Sequence, residues 1–183
     1  MNHLHPHFNE FAELYKNSIE TIRKIETKAG ISAINLKYAE NLRICLEHLT
    51  TSIHNCTMEK KEPKISEDNI RKAINCLETF VQDACHAVAG KKLKQTEQLI
   101  LKSRPFAGRL KAKEAYKKAK FQYTEGRNNI SNPIQATIHF SNTVDLCLEA
   151  INHIEPMSNK EWVGWAIAIL LLIVELLRFL KHL

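Results

Sequence analysis

Apolar residues recur at steps of three and four along most of this chain, the spacing that lines one face of an α-helix. Phe8, Phe11, Tyr15, Ile19, Ile22, Ile25 and Ala29 form the first stripe, and Gly30 behind it predicts a left-handed turn that ends the helix. Ser32 is placed to cap a second helix, with Leu36, Ala39, Leu42, Cys45, Leu46, Leu49, Ile53 and Cys56 on its inner face. The polar stretch TMEKKEPKI then breaks the pattern. Ser66 opens a third helix with Glu67 and Asp68 in its first turn, opposite the positive end of the dipole. Its stripe is Ile70, Ala73, Ile74, Leu77, Val81, Ala84 and Val88, and Gly90 predicts its end.

A fourth helix is expected from Lys91 to about Ser103, stopped by Pro105. A fifth, over 107–124, has a thin face of Ala112, Ala115, Tyr116, Ala119 and Tyr123. The segment EGRNNISNP reads as a loop. Asn132 then caps a sixth helix, with Pro133 at its first position and Gln135 three residues on. The expectation for residues 1–155 is an all-α, antiparallel bundle of about six helices.

The closing stretch, EWVGWAIAILLLIVELLRFLKHL, is different. Ser158 and Glu161 match a capping box, and from Val163 to Val174 the helix is apolar nearly all round. A helix over 159–182 would be about 36 Å long, enough for a hydrocarbon core of about 30 Å. Residues 156–183 are therefore expected to form a C-terminal transmembrane helix, a tail anchor. Trp162 and Trp165 would sit at one interface and Arg178 would reach the other. Glu175 would pair with Arg178 one turn on, or face neighbouring copies in an oligomer. The competing reading of the same stretch is a buried central helix of the bundle.

Charge sharpens the picture. The chain carries a formal +6, and residues 87–120 hold eleven of its 26 Lys and Arg against two Glu. Lys91, Lys92, Lys94, Lys111, Lys113, Lys117, Lys118 and Lys120 form a candidate binding surface for RNA phosphates or lipid headgroups, with aromatics interleaved in KAKEAYKKAKFQY. A solvated helix face is the plainer reading. Five cysteines without a C-x-x-C pair, set in apolar stripes, suit a reducing compartment. The N-terminus MNHLHPHFNEF lacks the basic and apolar regions of a cleavable leader. The body is accordingly expected in the cytoplasm, on a single-pass membrane protein.

Candidate chemistry is sparse. Arg43 and His48 read R-x4-H, which resembles the motif of HEPN ribonucleases, helical domains that bring Arg and His together across a dimer. That resemblance implies a catalytic pair, with Arg43 steadying the scissile phosphate and His48 assisting proton transfer. Ile44 stands where the family often has a polar residue. A small helical body with a membrane helix also resembles accessory proteins of prokaryotic antiviral, CRISPR-associated systems. His3, His5 and His7 lack a preorganised metal geometry, and no Gly-rich phosphate loop, G-x-S-x-G or H-E-x-x-H occurs. No metal and no cofactor are expected. The leading expectation is a membrane-anchored homo-oligomer acting by interaction or membrane perturbation, with the lipid bilayer, RNA or a defence-system protein as partners. The alternatives are the ribonuclease and a passive membrane adaptor.

Overall fold

The computed structural model describes residues 5–32, 36–57, 63–103, 108–154, 163–164 and 166–173. Five long helices make the body: α1 (His5–Ala29), α2 (Leu36–Thr57), α3 (Pro63–Lys102), α4 (Arg109–Asn128) and α5 (Pro133–Asn152). The terminal apolar stretch is also helical over 163–164 and 166–173.

α1 ends as its sequence requires. Gly30 has φ of 63°, where a side chain would be strained. Its N–H donates to the Thr27 carbonyl and that of Ile31 to the Glu26 carbonyl, the paired bonds of a Schellman turn. α5 begins as expected too, with the Gln135 N–H donating to Asn132 Oδ1 at 3.2 Å and Pro133 in the first turn.

The expected break at Gly90 is absent. The third and fourth helices of the sequence pattern are one helix of 40 residues, about 60 Å long. Gly90 lies inside it with an ordinary negative φ. A Cβ there would sit 2.9 Å from the Tyr123 hydroxyl, so close approach of α4 explains this glycine. The stretch expected as a loop after Thr124 is also shorter, because α4 continues to Asn128.

α3 is the axis of the body and touches the other four helices. Its neighbours set the directions. His7 faces Glu67 and Lys92 reaches Ala29, so α1 runs alongside α3 in the same sense. His86 meets Tyr123 and Glu97 meets Lys120, so α4 runs opposite. The arrangement is an up-and-down bundle, with the core built from Phe11, Ile22, Ile25, Leu77, Phe80, Val88, Phe140 and Val144 among others. On α4 the buried positions are Ala112, Ala115, Ala119 and Gly126, small residues that let the helices approach closely.

The transmembrane expectation is corrected. Among the described residues no helix is long and apolar enough to cross a membrane. The single-pass membrane assignment and the tail anchor fall with that finding. Their supporting residues Trp162, Trp165, Glu175 and Arg178, and the Ser158–Glu161 box, lie outside the described residues. The buried-helix alternative also fails for the described part, since Val163, Gly164 and 166–173 are all exposed.

Candidate functional site

Arg43 and His48 both lie on α2, and a spacing of five residues sets them about 140° apart around the helix axis. Within one chain they do not converge. Arg43 is instead held by its own helix. Its Nε donates to Glu40 Oε2 at 3.0 Å and a terminal nitrogen donates to Glu40 Oε1 at 2.6 Å, while the other terminal nitrogen binds Glu47. The bond and charge of Glu40, then the charge of Glu47, hold the guanidinium pKa above its ordinary value. One cation between two carboxylates is a net anion, and a phosphate would have to displace both partners to reach it. His48 is half-buried one and a half turns on.

A second cluster of contacts lies where α3, α4 and α5 meet. Tyr123 Oη lies 2.7 Å from His86 Nε2 and the two rings stack at 5.2 Å. Phe140 tilts against both, with ring centroids at 5.0 and 5.8 Å. Burial pulls the His86 pKa below its ordinary 6.5, Asp83 opposes that, and Arg127 adds to it. The shift favours the neutral ring. Burial also raises the Tyr123 pKa. A neutral imidazole against a protonated phenol, packed on Phe140, is a cross-link between helices. Sequence spacing gave no direct sign of it; its trace is the pair of glycines, Gly90 and Gly126, that make room for Tyr123 and Phe140.

Four of the five cysteines behave as small apolar side chains. Cys45, Cys85 and Cys147 are fully buried and free, and Cys76 is half-buried. Burial pushes the Cys45 and Cys85 thiols up to about 12, with Cys76 adding to the shift at Cys45, so neither is a nucleophile near neutral pH.

The lysines of the basic region divide into two groups. Lys92 is buried, and its Nζ donates to the Ala29 carbonyl at 2.9 Å; Lys91 reaches the Ser32 carbonyl at 3.2 Å. These two close the end of α1 and are committed to the fold. Lys94 on α3 and Lys111, Lys113, Lys117, Lys118 and Lys120 on α4 are exposed. Lys120 lies over the Tyr116 ring at 5.4 Å and 4.0 Å from Glu97.

Among the described residues, two apolar surfaces face solvent. One is a cleft of about 280 Å³ between α1, α3 and the start of α5, lined by Leu14, Ser18, Val81, Ile134 and Ile138. The other is the terminal stretch, where Val163, Ile167 and the run Ile169–Ile173 are each about half exposed or more. No protein-family profile, no curated protein and no solved structure matches the chain.

Proposed function

We propose that this protein is a helical assembly module that self-associates through the apolar stretch 163–173 and acts by contact, with no substrate turned over. The observation that carries this reading is the exposure of seven large aliphatic side chains in one run: Val163, Ile167, Ile169, Leu170, Leu171, Leu172 and Ile173, at 48–68% of their full surface. Full burial of one such side chain stabilises by about 1.5–3 kcal/mol, so leaving these seven half in water forgoes on the order of 10 kcal/mol. Monomeric proteins seldom leave so contiguous an apolar patch uncovered.

A second copy is the occupant that suits the stretch. The run carries no charge from Val163 to Ile173, so copies do not repel one another along it. At 100° per residue its aliphatic side chains point all round the axis, so one neighbour covers only half of them. Burying the rest takes neighbours on both sides, and the reading therefore favours a closed assembly of several copies over a dimer. The ribonuclease reading gains no support from Arg43, whose charge is already matched by Glu40 and Glu47.

Static light scattering on the full chain tests this. The wild type is expected at the mass of several chains, and Leu170→Glu with Leu172→Glu at the mass of one, both with the same far-ultraviolet circular dichroism. Arg43→Ala with His48→Ala is expected to leave the assembly mass unchanged. A wild type with the mass of one chain would overturn the reading.

A further inference from the structure

We infer that the outer face of α4 is a binding track for single-stranded nucleic acid, with Phe121 as the platform on which an unpaired base stacks. α4 spans Arg109–Asn128 and carries seven basic residues against two acidic ones. Its inner face is fixed by Ala112, Ala115, Ala119 and Gly126, which are buried. That registration places Phe121 near the middle of the opposite side, where it is 62% exposed. A phenyl ring in water at that level has no packing reason within the body.

The cations are arranged around it. Taking 100° per residue from Phe121, Lys117 and Lys113 fall about 40° and 80° to one side, and Lys118 and Lys111 about 60° and 80° to the other. From Lys111 to Phe121 the rise is about 15 Å. The ring thus stands on a ridge with ammonium groups along both flanks and two carboxylates, Glu114 and Glu125, about 20° and 40° from it. Among the described residues no ion pair engages Lys111, Lys113, Lys117 or Lys118, so all four remain available to an anion.

That combination, lysines for the backbone and an exposed ring for the bases, is what sequence-tolerant binding of a single strand requires. A duplex would satisfy the lysines but keep its bases stacked away from Phe121. An anionic membrane surface would also attract the lysines. It fits less well, because the exposed apolar side chains of α4 are two, Leu110 and Phe121, three turns apart, with Glu114 between them. The track does not depend on the terminal stretch, so it stands or falls apart from the assembly reading.

Fluorescence anisotropy on the full chain tests it, with a uridine-rich RNA of about 16 nucleotides and the matching thymidine-rich DNA. Either strand is expected to bind with affinity that falls steeply with salt. Lys117→Gln with Lys118→Gln should flatten the slope of log K against log salt by about 1.4. Phe121→Ala should weaken binding at least about fivefold with the salt slope unchanged, and Phe121→Trp should restore it. Phe121 is exposed, so unchanged circular dichroism separates loss of the ring from loss of the fold. Equal affinity for a duplex with the same number of phosphates, or full affinity in Phe121→Ala, would overturn the stacking track. So would binding to phosphatidylserine vesicles with no binding to either strand.

Discussion

Lys92 shows how far one residue's role depends on its surroundings. By composition it belongs to a basic run, yet its stem lies in the core and its ammonium closes α1 by binding the Ala29 carbonyl. A hydrogen bond from a charged group contributes about 1.5–3 kcal/mol, and its loss strands a buried carbonyl. Lys92→Met is therefore expected to lower the unfolding free energy by about that amount in a urea titration, and Lys94→Met to leave it unchanged. His86 gives a pH signature. Its folded pKa is depressed, so the unfolded chain takes up the proton first as the medium is acidified. Its share of stability is complete above the ordinary pKa of 6.5 and is lost as pH falls below that value. Thermal unfolding of the wild type should drop more between neutral and mildly acidic pH than that of His86→Gln. Equal drops in the two proteins would count against a neutral, half-buried His86.

At the level of elements, the helices were readable wherever a local signal fixed them. Gly30 and the Asn132–Pro133–Gln135 start act within a few residues of themselves, and both ends fell where the spacing put them. Gly90 misled for the opposite reason. A glycine that ends a helix and one that admits a neighbouring helix look alike in sequence, and only the approach of Tyr123 tells them apart. Gly126 repeats the case on α4, where a Cβ would stand 2.6 Å from the buried Phe140 ring. Alanine has the better helix propensity by about 1 kcal/mol. Overpacking the fixed ring costs about 1–3 kcal/mol, and Gly126→Ala is expected to be destabilising on balance. A stabilised variant in chemical denaturation would mean that α4 and α5 have slack at this contact.

Across the whole molecule, the all-helical body was legible because its stripes are long and regular. The candidate sites were less so. R-x4-H names two residues without the carboxylates that occupy Arg43, and the basic run does not say which lysines turn inward. For the closing stretch, hydropathy reports a preference to leave water without naming the surface that receives it. Lipid is one such surface, but among the described residues no helix is long and apolar enough to cross a membrane, and Val163, Ile167 and Ile169–Ile173 are exposed. The proposed association between copies would remove them from water.

Sedimentation velocity of the full chain, over about a hundredfold range of concentration, tests that claim most directly. The expected result is one boundary heavier than a dimer that gives way on dilution to a species of 21.0 kDa, the mass of one chain. A single 21.0 kDa boundary at every concentration would contradict it.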